Sequence, residues 1–441
     1  MNDLRRDLSA FDLTMIAVGS TIGSGIFLTP STVAGALHDP AWMMFAWVLG
    51  GLVALSGALT FSELSGMMPR AGGIYVYLEE AYGGLVAFLF GWAYLLVVNT
   101  GGIAALAIAF ATYTAHFFPL SPAGIKGVAT GAIVLVTAVN IRGVKAGGVL
   151  SDIFTVLKLL AVVFVIFSGL VWGSPATMTG SPSPAGTGII GGLAAAMVGV
   201  LFSYGGWQHA TFPAGESRNP RRNIPLAMTL GACLVVAAYL AINTAYMFLL
   251  TPAEMAASPR VATDAMSMVW GPLGVSIVAL AIIISTFGTT GIYTLTAPRI
   301  YYAMACKGLF FKKVGTLHPR YTTPAYAILL QTGWAIVLVL AWGTFENLIS
   351  YVVFTDFIFF GLGAAAVLVL RRRSPDAERP YRTFGYPFTP LFFVGISGWF
   401  VIATLIDQPA QAVAGLVLLG SGVPVYYYWN RRRRTGAGGT L

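Results

Sequence analysis

Between Asp12 and His38 the chain carries no charged side chain, and the run is long enough to cross a bilayer as one helix. Its centre reads Val18-Gly-Ser-Thr-Ile-Gly-Ser-Gly-Ile-Phe27, which puts Gly19, Ser20, Thr21, Gly23, Ser24 and Gly25 where a membrane helix should be most regular. Glycine disfavours a helix by about 1 kcal/mol relative to alanine, and serine and threonine add penalties of their own. At membrane depth a broken helix survives only where the freed backbone groups face protein, water or a ligand. The stretch therefore reads in one of two ways. It is either two half-helices around an unwound joint near the midplane, or a tight helix crossing built on small residues. The first reading carries chemistry. Free N–H groups at the start of the second half-helix attract a carboxylate, aided by the helix dipole. Open carbonyls at the end of the first attract an ammonium group, so one joint can hold both ends of a zwitterion.

The rest of the chain agrees with a membrane setting. Of 441 residues, 57% are hydrophobic and 9% charged, with a mean hydropathy of +0.79. Soluble domains carry roughly 25% charged residues. The expected fold class is an all-α polytopic membrane protein with twelve spans, at about 12–37, 41–67, 83–117, 124–141, 149–172, 188–213, 224–250, 271–304, 324–342, 347–370, 388–406 and 410–430. Of the 25 lysines and arginines, Lys126 and Arg260 fall in one set of loops and Lys158 within a span, which leaves 22 in the opposite loops and the tails. That bias places both termini in the cytoplasm and demands an even number of spans. The net charge of +9 is thus a topology signal and implies no nucleic acid partner. Arg431 to Arg434 read as a stop anchor at the lipid surface. The start of the chain has no short apolar core followed by a small-residue cleavage site, so no removable signal is expected. Cys233 and Cys306 lie in or at the end of apolar spans and suggest neither a disulfide framework nor a metal site.

The sixth span repeats the oddity of the first. In Phe202-Ser-Tyr-Gly-Gly-Trp-Gln-His209, Gly205 and Gly206 stand beside polar residues well inside an apolar run that starts near Gly188. The first and sixth spans are five apart, and so are the two longest, the third and eighth. Interrupted helices at matching places in two halves are the signature of an inverted-repeat transporter, with the substrate site at the repeat interface. The coincidence favours the unwound joint over the small-residue crossing. The expected organisation is a tail at 1–11, a first five-helix repeat at 12–172, an inverted second repeat at 188–370, two further helices within 388–430 and a basic tail at 431–441.

Four motifs in order, Gly23-Ser-Gly-Ile-Phe27, Pro69-Arg-Ala-Gly-Gly-Ile-Tyr75, Phe202-Ser-Tyr-Gly-Gly-Trp207 and Glu216-Ser-Arg-Asn-Pro220, resemble the amino acid–polyamine–organocation (APC) superfamily. Within it the chain is most similar to bacterial relatives of the L-type amino acid transporters (LAT-like), from about Leu8 to Arg382. The resemblance implies a LeuT-like five-plus-five inverted repeat with broken helices one and six, and amino acid transport by alternating access. It implies that the amides of Gly23, Ser24 and Gly25 bind the substrate carboxylate. Carbonyls near Ser20 and Thr21, with Ile22 in the same joint, and those of Phe202 and Ser203 take the amino group. Phe202 is the implied gate over the substrate, Gly205 leaves space for its side chain, and Gln208 faces that side chain. Lys158 occupies the place where sodium-coupled relatives bind sodium, bonding the first-span joint and a hydroxyl of the eighth span, expected at Ser285. Tyr246 is implied near the carboxylate.

The residues themselves leave some roles open. A buried lysine costs at least about 2.5 kcal/mol on the insertion scale, so Lys158 is expected to have a function unless it snorkels to the interface. A fixed cation there disfavours sodium by like-charge repulsion. Asp356 either lines the pathway, where it attracts a cation or carries a proton, or pairs within the bundle. Glu63 is expected to be a packed or interfacial carboxylate, and His209 a helix-packing group rather than a shuttle. No cluster has metal spacing and no nucleophile stands beside a base, so an enzyme is not expected, and neither a cofactor nor a metal is. A channel would require a filter repeated by oligomeric symmetry; a sensor would bind without moving substrate. The expected function is a sodium-independent secondary transporter of small to medium neutral L-amino acids, acting as an exchanger in the cell membrane. The alternatives are a proton-coupled symporter and a cationic amino acid or polyamine exchanger. No cysteine lies between the third and fourth spans, so no covalently linked partner subunit is expected.

Overall fold

A computed structural model describes residues 4–178, 188–341, 345–407 and 409–435. The ends of both expected tails, 1–3 and 436–441, lie outside the described residues. Among the described residues, eleven helices are long and apolar enough to cross a membrane, and Ala325–Ala341 is a shorter apolar helix at the place of the expected ninth span.

The first span starts at Ala10 because Ser9 and Asp12 form a capping box: Asp12 N donates to Ser9 Oγ and Ser9 N to the Asp12 carboxylate. It is helical over Ala10–Thr21, unwinds at 22–24, restarts at Gly25–Leu28 and, past Thr29, continues as Pro30–Leu37. The sixth span is helical over Gly188–Tyr204 and breaks at Gly205 and Gly206. Gly206 has φ +129°, a conformation that L side chains rarely adopt. Beyond it the chain does not resume as an α-helix. Trp207–Thr211 and Ala214–Glu216 are short 3₁₀ turns. Pro213 lies between them and has no N–H to continue a helix.

Between the first and sixth spans run Pro40–Met67 (second), Gly84–Thr114 (third), Pro122–Ile141 (fourth) and Val144–Trp172 (fifth). After them come Pro220–Leu249 (seventh), Pro272–Cys306 (eighth), the short ninth helix, Phe345–Arg373 (tenth), Phe388–Asp407 (eleventh) and Pro409–Arg434 (twelfth). The third is interrupted by a π turn at Tyr94–Val98, and Thr100 Oγ1 donates to Leu95 O at 2.7 Å there. Single π turns recur at functional sites because they re-aim side chains.

The spans pack as two groups. The seventh runs along the second and the first, and the turn after the sixth-span break packs on the first. The third, fourth, eighth and ninth pack on one another. The fifth touches the first and seventh on one side and the eighth on the other. Two buried carboxylates are paired with arginines. Glu216, at the end of the sixth-span segment, accepts from Arg299 Nε at 2.7 Å and Nη2 at 2.8 Å, and both side chains are buried. Glu63 accepts from Arg371 Nε and Nη2 at 2.8 and 2.7 Å and from Thr383 N at 2.7 Å, the packed carboxylate expected of it. Removing one partner of such a pair leaves an uncompensated charge, which is why these residues occur together.

Candidate functional site

The two breaks lie against each other. Ser20 Oγ donates to Gly206 O at 2.8 Å, and a Cβ on Gly206 would come within 2.5 Å of Ser20 O. A Cβ on Gly25 would come within 2.8 Å of Ser203 Oγ. Only hydrogen side chains permit this approach of two backbones. Tyr239 of the seventh span closes the contact from behind: its hydroxyl lies 3.0 Å from both Thr21 O and Ser203 O. Its ring packs on Trp47 and Tyr204, with centroids 5.9 and 4.9 Å away.

Lys158 reaches the joint from the fifth span and is wholly buried. Its three N–H groups donate to Gly19 O at 2.7 Å, Ile22 O at 2.8 Å and Thr289 Oγ1 at 2.8 Å, and Ser285 O lies further off at 3.3 Å. The side chain thus points into the bundle instead of snorkelling to the interface. The eighth-span hydroxyl that meets it is that of Thr289, not Ser285. Ser285 Oγ instead lies 3.0 Å from both Ile22 O and Gly23 O and donates its one proton between them. The physical reason is helical spacing: positions four apart share one face, so both residues reach the joint, and the one a turn further on is closer to the ammonium. Tyr246 is buried, but it is not among the residues that line the cavity.

In front of the joint lies a cavity with about 840 Å³ of empty space, its open mouth included. The joint contributes Ser20, Thr21, Gly23, Ser24 and Gly25, and the sixth span contributes Phe202, Ser203, Gly205, Gly206, Gln208 and His209. Tyr94 and Asn99 enter from the two ends of the π turn, and Asp356 from the tenth span. Gly23 N is spent on Thr21 O at 2.9 Å, whereas the first bonds of the second half-helix are made by Phe27 N to Ser24 O and Thr29 N to Gly25 O. The amides of Ser24 and Gly25 are thus at the open start of that half-helix. Ser24 Oγ is buried and without a hydrogen-bond partner among the described residues. Of the carbonyls expected to take an amino group, those of Thr21 and Ser203 already lie against the Tyr239 hydroxyl; a carbonyl has two lone pairs and can accept a second donor. Gln208 Oε1 accepts from Gly206 N at 2.9 Å, and its Nε2 faces Tyr94 Oη at 3.4 Å. Its amide thus fixes the break as well as lining the cavity. His209 packs as expected, stacked on Tyr293 with centroids 4.2 Å apart and bonded to Thr296 Oγ1 at 2.6 Å.

Sequence reasoning missed Tyr239, Thr289, Tyr94 and Asn99. The spacing Ser285–Thr289 was a readable signal. Tyr239 and Tyr246 are seven apart on one helix face, so sequence alone offers no ground for choosing between them.

Two broken helices whose breaks touch beside a cavity that both line, in an all-helical membrane bundle, are the arrangement of a secondary transporter. The chain belongs to the amino acid permease family, whose model matches residues 8–423. It is 31% identical to the serine/threonine exchanger SteT of Bacillus subtilis over 435 residues, covering 98% of each chain. It is 32% identical to the human b(0,+)-type amino acid transporter 1 over 433 residues, 96% of this chain and 88% of that protein. It is 30% identical to the rabbit (Oryctolagus cuniculus) large neutral amino acids transporter small subunit 2 over 446 residues, 97% of this chain and 82% of that protein. The chain is therefore a multi-pass membrane transporter of amino acids and not an enzyme.

Proposed function

We propose that the protein exchanges small to medium neutral L-amino acids across the cell membrane without sodium, with both termini in the cytoplasm. The observation that carries this reading is the cavity at the joint, where the start of a half-helix, the unpartnered Ser24 hydroxyl and nearby carbonyls stand together. The substrate carboxylate lies on the amides of Ser24 and Gly25, its ammonium on carbonyls of Ser20 and Phe202, and its side chain in the space by Gly205 and Gln208. The residues 12–172 and 188–370 act as inverted repeats. Movement of the group around spans one, two, six and seven against the group around three, four, eight and nine exposes the joint alternately to either side. Exchange follows if the empty carrier crosses slowly, a reading supported by the exchanger among its relatives. Lys158 places a cation where a coupling sodium would have to sit, and like charges repel strongly in a low-dielectric site. No covalent partner subunit is required.

Purified protein in sealed vesicles tests this. Uptake of labelled neutral amino acids is expected to need internal amino acid and to be unchanged when sodium is replaced by choline. No flux of any amino acid under exchange, uniport or proton-gradient conditions would refute it. Phe202 lines the cavity beside the break, and its ring is proposed to close over bound substrate and exclude water. Phe202→Ala should lower flux per folded molecule severalfold while expression holds. Wild-type flux per folded molecule would make Phe202 ordinary packing.

A further inference from the structure

The tenth span presents one face to the cavity: Val353, Asp356, Phe357 and Phe360 all line it. Spacings of three, four and seven put these four on a single stripe. Three of them are apolar, so none of those three offers Asp356 a hydrogen bond. The Tyr94 hydroxyl lines the same cavity and lies within reach of Gln208 Nε2. A hydroxyl has one proton to give, whereas a carboxylate can accept about four hydrogen bonds. Asp356 Oδ1 remains buried and unpartnered among the described residues. Asn99, also in the cavity lining, is in the same condition. Its Nδ2 is engaged with Gln331 Oε1 at 2.8 Å, while its Oδ1 is buried without a partner. Both unmet polar atoms are acceptors. Buried acceptors are nearly always satisfied in native structures, and here the cavity is the space from which a donor can come.

We propose that Asp356 reads the substrate side chain and selects amino acids whose side chain ends in a hydrogen-bond donor (a hydroxyl, an amide or a short ammonium) over isosteric apolar ones. This rests on the transport reading above: it selects within the neutral class by a hydroxyl or amide and extends that class to a side chain ending in a short ammonium. An apolar side chain leaves Oδ1 desolvated and unpaired, whereas a donor of the same shape completes the carboxylate. Sites that hydrogen-bond a substrate hydroxyl discriminate strongly against the analogue lacking it, because their own polar group is then orphaned.

Competition against uptake of radiolabelled L-serine into proteoliposomes tests this with two isosteric pairs: threonine against valine, and 2,4-diaminobutyrate against norvaline. In the wild type each donor-bearing member is expected to compete at least about tenfold better than its apolar twin. In Asp356→Leu both ratios fall toward one. Asp356→Asn keeps the shape and one acceptor, and its ratios lie between; it carries the test if the leucine variant does not fold. Equal competition within both pairs in the wild type, with serine flux intact, overturns the inference and leaves the transport reading standing. So does an Asp356→Asn variant that keeps both ratios and loses only a response to a proton gradient, which would make the carboxylate a proton carrier. Absence of flux for every amino acid overturns both.

Discussion

Lys158→Ala is expected to reduce exchange flux per folded molecule at least about tenfold, through apparent affinity, turnover or both. In the wild type one ammonium donates to Gly19 O and Ile22 O of the broken span and to Thr289 Oγ1 of the eighth, with Ser285 O at 3.3 Å. Each buried acceptor left unsatisfied costs about 1–3 kcal/mol. Thr289 Oγ1 can still donate to Gly19 O, 2.9 Å away, and Ser285 Oγ to Ile22 O or Gly23 O, so the joint is weakened and not dissolved. The variant should therefore fold and bind poorly, or favour one facing state. Lys158→Arg should rescue only in part, because a planar guanidinium cannot reproduce a compact ammonium among four converging acceptors. Initial flux and apparent affinity, normalised to folded protein, provide the check. Wild-type values for the alanine variant would remove the bridging role, and with it the argument against a sodium requirement. A sodium-dependent flux appearing in Lys158→Ala would instead strengthen that argument.

Gly206→Ala should be the most damaging single methyl group near the site. The added Cβ would lie 2.5 Å from Ser20 O and 2.6 Å from both Ser20 C and Thr21 N. These are backbone atoms of the other broken span, so no side chain can swing aside. The residue would also have to hold φ +129°, and such conformations cost of order 1–3 kcal/mol for a residue with a side chain. The two breaks must then separate, which pulls Ser20 Oγ from Gly206 O and moves the Gln208 amide that accepts from Gly206 N. The expected result is loss of monodisperse protein on size exclusion or, where protein survives, loss of flux. Gly127→Ala is the control, since nothing lies within 4 Å of its added Cβ. Flux at wild-type level from Gly206→Ala would mean that the joints are not held in this register.

The places where the chain crosses the membrane, and where two crossings fail to stay helical, were legible without coordinates. Both are local properties. Hydropathy over a window sets the spans, and glycines beside serine and threonine weaken the helix wherever they occur. The breaks at 22–24 and at Gly205 and Gly206 fall where residue propensity puts them. The four motifs added the family and assigned residues to the zwitterion chemistry that the free N–H and C=O groups of the joint already implied. What followed the second break was only partly legible: Pro213 bars a helix through that point, but the 3₁₀ turns also rest on the packing of Trp207 against Phe61 and Phe360, which come from distant spans.

The class of molecule, the order of its spans and the two stretches of backbone left free to act follow from local runs of residues. Which side chains meet that backbone follows from the packing of the spans. Lys158 and Gly19 are 139 residues apart, and Thr289 and Gly19 are 270 apart. Tyr239 rather than Tyr246 reaches Thr21 and Ser203 because of how the seventh span is rotated and seated along its length, and neither is encoded by any short window. Asp356 could have paired within the bundle or faced the cavity, and its own helix permits both. The orientation of the tenth span against the third settles where the carboxylate lies. Propensity and hydropathy act over a few residues, whereas these contacts depend on the packing of all the spans at once.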